Sequence, residues 1–216
     1  MTTEALYQAC RFPHKSEIQK IIIGQASPMT AKMKSKPYRN ESRPDWDEVR
    51  VEIMRWCLRV KLAQHWEKFS ALLLSTGHMP IVEESYRDPF WGARPTTPET
   101  LVGTNMLGQL LTELRDQLQG QDVDKLRIVL PPTLPNFLLI DKPIGVIQST
   151  DPRPRAALNS APSQLTSGAS YDDSVKASAC NASSQTLDTE MALADHSALY
   201  SNRQKPAQLT LDFFGG

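Results

Sequence analysis

Glu4, Tyr7, Gln8 and Arg11 stand at i, i+3, i+4 and i+7. Two turns of helix would bring a carboxylate, a phenol, an amide and a guanidinium to one face. Such a set can bind an anion or handle a proton, and it can equally be a solvated face. Further on, Lys32, Lys34 and Lys36, followed by Arg39 and Arg43, form a basic run. That run suits phosphate or a nucleic-acid backbone, with plain solvation as the alternative. Asp88 sits among Tyr86, Phe90 and Trp91 in the turn-rich segment YRDPFWGARP. A carboxylate beside two rings in a loop suits a stacking pocket, and core packing suits it as well. Asn105 and Gly108 interrupt the start of an otherwise apolar helix. Glycine costs about 1 kcal/mol there relative to alanine, so close approach of a ligand or a neighbouring helix is expected.

Other chemistries find no support. The chain has no GxGxxG, Walker loop, HExxH or GxSxG. His14, His65, His78 and His196 are each isolated, which removes serine-type triads and metal hydrolysis. Cys10, Cys57 and Cys180 are odd in number and lack a CxxC, so neither a disulfide framework nor a zinc site is expected. Cys10 and Cys57 read as small buried hydrophobes. No metal and no cofactor are expected. The 24 basic and 24 acidic side chains cancel, which excludes a protein that coats nucleic acid by bulk charge but not one with a local basic stripe. No apolar run approaches the roughly 20 residues that span a bilayer. With no charged-then-apolar leader at Met1, a soluble, cytoplasmic protein is expected.

The elements that must position these groups are mostly helical. Thr3 reads as the cap of the first helix. Ser16 opens a second, whose Ile18, Ile21 and Ile22 share a face, and Ser27-Pro28 starts a third. Asp45-Trp46-Asp47-Glu48 fits a capping box before a long helix that breaks near His65. PIVEES reads as a short strand. Thr104 reads as the cap of a helix with Met106, Leu107, Leu110, Leu111, Leu114 and Leu118 in one stripe. The fold class expected is mainly α with minor β, plus a disordered C-terminal tail. Residues 1–120 form the domain, and 121–147, cut by Pro131, Pro132, Pro135 and Pro143, form a β or extended arm. Residues 148–206, rich in Ser, Ala, Asn, Gln and Asp, read as a disordered linker, and 207–216 as a short linear motif.

Five ordered segments over about 115 residues then resemble the NADAR (YbiA-like) family. They are Thr2-Thr3-Glu4-Ala5-Leu6-Tyr7-Gln8-Ala9-Cys10-Arg11-Phe12; Ser27-Pro28-Met29-Thr30-Ala31-Lys32; Trp46 to Met54; Asp88-Pro89-Phe90-Trp91-Gly92; and Asn105-Met106-Leu107-Gly108-Gln109-Leu110-Leu111-Thr112-Glu113-Leu114-Arg115. The spelling of the first two looks most like NADAR proteins paired with DarT-type DNA ADP-ribosyltransferases.

The resemblance implies a NADAR-like helical domain and an N-glycosidase that acts on ribosyl or ADP-ribosyl groups attached to an amine. The implied substrates are ADP-ribosylated guanine in DNA or the small ribosylamines of riboflavin synthesis, with a DarT-type toxin as a further partner. Glu4, Trp46 and Asp88 fall on the family's site positions, and Gln8, Arg11, Trp91, Gly92, Asn105 and Gly108 on its motif positions. Breaking a ribosyl C–N bond builds positive charge on the sugar, which Glu4 and Asp88 can stabilise while moving protons. A ring-opened ribosylamine could instead form a Schiff base, with Lys32 as the candidate and Lys34 in reserve. Tyr7, Trp46 and Trp91 can wall or stack on the substrate, and Arg11 and Lys32 can hold phosphates. Family members also carry a β-rich segment before the glutamate motif that has no counterpart after Met1. A non-catalytic ADP-ribose-binding or adaptor protein is therefore a third reading.

At the far end, Gln208, Leu209, Leu211 and Phe213 match the Q-L-x-L-x-(L/F) pattern of peptides that bind bacterial sliding clamps. On a flexible tether, such a peptide would raise local concentration at replicating DNA. A terminal strand docking on the domain is the alternative.

Overall fold

A computed structural model describes residues 1–97 and 100–150. Six α-helices are its main elements: α1 (Thr3–Ala9), α2 (Ser16–Ile23), α3 (Pro28–Ser35), α4 (Trp46–Gln64), α5 (Trp66–Ser75) and α6 (Met106–Gln119). The fold is mainly α. The linker, Cys180, His196 and the Gln208–Phe213 motif lie outside the described residues. No helix among the described residues is long and apolar enough to cross a membrane.

Local signals place the helix ends to within a residue, but only α1 among the described α-helices has a side-chain cap bond. The α1 cap is Thr2 rather than Thr3, and its Oγ1 accepts the Ala5 N–H at 3.1 Å. Ser27 and Pro28 start α3 as expected, although Ser27 makes no side-chain cap bond. Asp45 precedes α4 without capping it, because Arg43 takes both carboxylate oxygens at 2.6 and 2.8 Å. The resulting charge-assisted pair holds the Asp45 carboxyl below its ordinary range. His65 leaves the helical region (φ −132°, ψ 46°) and divides α4 from α5. Asn105, not Thr104, precedes α6, in a left-handed conformation (φ 51°) that asparagine tolerates.

The core lies around α4. Its Ile53, Trp56, Cys57 and Val60 meet Leu107, Leu110, Leu111 and Leu114 of α6 and Phe69 and Leu73 of α5. A smaller cluster joins α1, α2 and α3 through Ala5, Ala9, Phe12, Ile18, Ile22 and Ala31. Ile21 does not share that burial and is 42% exposed. Cys10 and Cys57 are buried thiols, and burial together with the neighbouring Cys10 pushes the Cys57 thiol up.

The β structure is slight. Strands β1 (Arg94–Thr97) and β2 (Thr100–Val102) pair antiparallel. The 121–148 stretch forms two more antiparallel pairs, β3 (Ile128–Val129) with β6 (Ile147–Gln148) and β4 (Leu138–Leu139) with β5 (Lys142–Pro143). This arm is fastened to the helices. Phe137 packs edge-on against Trp56 at 5.0 Å between centroids, and Arg43 donates to the Pro135 carbonyl at 2.9 Å. Fully buried Gln19 of α2 donates to the carbonyls of Ala9 (3.1 Å) and Leu138 (3.0 Å) and accepts the Ile140 N–H at 2.6 Å. PIVEES is not a strand: Glu84 makes an isolated bridge to Ala93, where the Ser85 N–H meets the Ala93 carbonyl and the Ala93 N–H meets the Glu83 carbonyl.

Candidate active site

The Glu4, Tyr7, Gln8, Arg11 face is turned into the protein. Glu4, Tyr7 and Gln8 are 3%, 4% and 5% exposed, and Arg11 is half-buried. Gln8 Nε2 donates to Glu4 Oε1 at 2.9 Å, and Ser35 Oγ at the end of α3 donates to Gln8 Oε1 at 2.9 Å. The Glu4 carboxyl is pushed above its ordinary value, first by burial and then by nearby Asp88. The Gln8 hydrogen bond, Lys32 and Arg11 oppose that shift. Helix α3 therefore supplies Lys32 and Ser35, and the loop after Tyr86 supplies Asp88.

Four rings line up beside this carboxylate. Tyr7 tilts against Trp46 at 5.0 Å and meets Trp91 edge-on at 5.6 Å, and Trp91 meets Phe90 edge-on at 5.1 Å. A guanidinium covers each end of the row, Arg11 over Trp46 at 4.5 Å and Arg50 over Phe90 at 3.9 Å. The Nε atoms of Arg11 and Arg50 are buried without a protein hydrogen-bond partner. Burial lowers the Arg11 pKa and raises that of the Tyr7 phenol, which also faces Glu4.

The Asp88 and Asn105 motifs form one unit. The N–H groups of Thr104, Asn105, Met106 and Leu107 donate to the carbonyls of Pro89, Gly92, Phe90 and Trp91, at 2.7 to 3.0 Å. The open donors at the start of α6 are thus satisfied by the 89–92 loop. Asp88 Oδ1 accepts the Trp91 N–H at 3.1 Å, which fixes the turn. The Asn105 side chain donates to the Ile81 carbonyl at 2.9 Å and accepts the Glu83 N–H at 3.0 Å. A Cβ on Gly108 would lie 2.1 Å from the Ile81 oxygen, and one on Gly92 2.5 Å from the Glu83 oxygen. Asn105, Gly108 and Gly92 therefore act on the backbone of segment 81–85, which carries Glu83 past Lys32. Burial raises the Glu83 carboxyl and Lys32 opposes that shift.

The structure brings together Glu4, Tyr7, Gln8, Arg11, Lys32, Trp46, Asp88 and Trp91. Lys34, also on α3, is exposed and stands outside this set of contacts. Sequence reasoning did not single out Ser35, Arg50 or Glu83 for the site. Arg50 carried a signal, since it follows Trp46 by one helical turn. Ser35 and Glu83 carried none, because their partners lie far away in the chain. Among the described residues no group of His, Cys, Asp and Glu is arranged to hold a metal ion.

The chain is similar to several known proteins. N-glycosidase YbiA from Shigella boydii is 37% identical over 123 residues, covering 54% of this chain and 69% of that protein. A riboflavin biosynthesis protein from Vibrio vulnificus is 31% identical over 118 residues, covering 55% of this chain and 30% of its own length. The NMR structure of YbiA from Escherichia coli matches 57% of this chain and 68% of that one, at 35% identity and a TM-score of 0.47. The NADAR domain matches residues 1–119, the stretch that contains all the residues of the cluster, and the chain belongs to the NADAR family.

Proposed function

We propose that this chain is a hydrolase of N-glycosyl bonds whose substrate is ADP-ribose joined to guanine in DNA, the modification made by DarT-type transferases. N-glycosidase chemistry in general is supported by relatives that carry that name. The observation that carries the reading is Glu4, a carboxylate 3% exposed, held by an amide and flanked by Lys32, Arg11 and Asp88. Its raised pKa suits a group that must both accept and return a proton. In the reaction, water attacks C1′ of the ribose, the C–N bond breaks, and the departing nitrogen takes a proton. Glu4 exchanges the protons, while Asp88 stabilises positive charge on the sugar. The half-buried guanidinium of Arg11 and the exposed ammonium of Lys32 favour a phosphorylated substrate.

A second reading, hydrolysis of small ribosylamines of riboflavin synthesis, is favoured by the name of the Vibrio vulnificus relative. The test is release of ADP-ribose from a guanine-modified oligonucleotide. Glu4→Gln and Asp88→Asn are expected to slow release by about 100- to 10,000-fold with the fold intact. Turnover of riboflavin-pathway ribosylamines with none on DNA would transfer the assignment to the second reading. Binding of ADP-ribose without turnover of either would leave only a binding protein. Borohydride trapping separates two routes: an adduct on Lys32 marks a Schiff base, and its absence during turnover marks direct water attack. We also propose that Gln208, Leu209, Leu211 and Phe213 tether the protein to a sliding clamp. Co-elution with the clamp should be lost in Leu211→Ala.

A further inference from the structure

Ser35 stands between two acceptors. Its Oγ lies 2.9 Å from Gln8 Oε1 and 2.8 Å from the carbonyl of Lys32, one turn back on α3, and the residue is 1% exposed. A hydroxyl carries a single proton, so it can donate to only one of them at a time. Gln8, also buried, presents its nitrogen to Glu4 and its oxygen to Ser35. An amide has a donor end and an acceptor end, so by turning over it can meet a carboxyl in either protonation state. An ionised Glu4 accepts only, and a protonated Glu4 also donates.

We propose that Ser35 is a positioning residue which, through Gln8, holds Glu4 in register in both of its protonation states. This deepens the reading of Glu4 as the proton-handling carboxylate and rests on it. With Glu4 ionised, the Ser35 proton points to Gln8 Oε1 and the Gln8 amide donates to Glu4, as the structure records. With Glu4 protonated, the Gln8 amide turns over and its oxygen accepts the Glu4 O–H. Its nitrogen then donates to Ser35 Oγ, and the Ser35 proton swings to the Lys32 carbonyl. Neither Gln8 nor Ser35 gains or loses a proton, and the only net change is the proton on Glu4. Each arrangement leaves the buried amide satisfied at both ends, as burial of a polar group requires.

Other groups act on Glu4 without making this choice. Lys32 of α3 and Arg11 beyond α1 favour its ionised form, and Asp88 of the loop opposes it. Tyr7 of α1 and Cys57 of α4 also face it. Gln8, by contrast, is hydrogen-bonded to the Glu4 carboxylate and carries both a donor and an acceptor end.

The test follows the Glu4 carboxyl itself, by carbon-detected NMR titration of the full chain labelled at glutamate. Glu4→Gln identifies the signal by its loss. Ser35→Ala removes one hydrogen bond from the ionised arrangement and two from the protonated one. The Glu4 midpoint should therefore fall by about half a unit to one unit of pH. Gln8→Met removes the charge-assisted donor to the ionised form and the weaker neutral acceptor of the protonated one, so the midpoint should rise. Ser35→Cys, a weaker donor of similar size, should lie between Ser35→Ala and the parent. The acid limb of the pH–rate profile should move with these midpoints, which a merely structural serine would not cause. A midpoint that moves in Gln8→Met but stays put in both Ser35 variants overturns the role of Ser35. An unaltered reaction rate in Glu4→Gln instead defeats the catalytic reading of Glu4, while the titration still decides the relay.

Discussion

Two buried glutamines on neighbouring helices are used in opposite ways. Gln19 of α2 spends its amide on three backbone groups, two carbonyls and an N–H, none of which titrates. Gln8 of α1 spends its amide on two side chains, one of which is a carboxyl pushed up by burial. Both satisfy their polar ends, as buried amides must. The difference lies in the partner. Backbone partners make a joint whose only function is to stay closed, here between α1, α2 and the 121–148 arm. Side-chain partners make a contact that has to work with and without a proton. A satisfied buried amide is therefore not evidence of a site by itself; what it faces decides.

Substitutions can sharpen this contrast. The largest effect is expected at the joint, where Phe137→Ala removes the ring packed on Trp56 and should lower unfolding free energy by about 3–5 kcal/mol in urea titrations. Rate per folded molecule should be unchanged; a loss of rate would mean that the arm also shapes the site. Gln19→Leu removes three hydrogen bonds at the joint, although the Ala9 carbonyl keeps the Phe12 N–H, and should cost about 1–3 kcal/mol by the same measurement, leaving the pH–rate profile in place. Ile140 and Asp141 occupy the left-handed region (φ 51° and 60°) at the turn between β4 and β5. A β-branched side chain is strained there, so Ile140→Asn should raise stability by up to about 1 kcal/mol in calorimetry.

The smallest effect belongs to the site. The folded Glu4 carboxyl lies above its ordinary value of 4.5, so the folded protein binds that proton more tightly than the unfolded chain. The stability this contributes is full below the ordinary value and is lost as pH rises through the raised one. Glu4→Gln should therefore melt higher than the parent at neutral pH, with the gap closing as pH falls from the raised value towards 4.5. A gap independent of pH would show that Glu4 acts on stability through packing rather than charge.

Much of this architecture could be read along the chain. The α6 stripe, the break at His65 and the Ser27-Pro28 start depend on neighbours within a turn or two, and they stand where the spacing puts them. Errors arose where a distant or competing group intervened. Arg43 took the Asp45 carboxylate that spacing assigned to a cap, and Asn105 reached back 24 residues to hold Ile81 in a segment that reads as a strand. The motif residues were legible as chemistry. Ser35 was not, because a serine in a basic helix gains meaning only from an amide 27 positions earlier.

By itself the sequence determined which side chains share a helical face, where most helices start and break, and that two carboxylates, a lysine, an arginine and several rings were available. Those properties follow from periods of three to four residues and from local capping, which need no knowledge of the rest of the chain. Only the tertiary structure decided that Gln8 faces a titrating partner and Gln19 a fixed one. It also decided that the 89–92 loop caps α6, and that Arg11 and Arg50 end the row of rings. Each of these depends on how the chain closes on itself, as in the 119 residues that separate Gln19 from the Leu138 carbonyl. Such closures are selected by the burial of the whole core rather than by any one spacing.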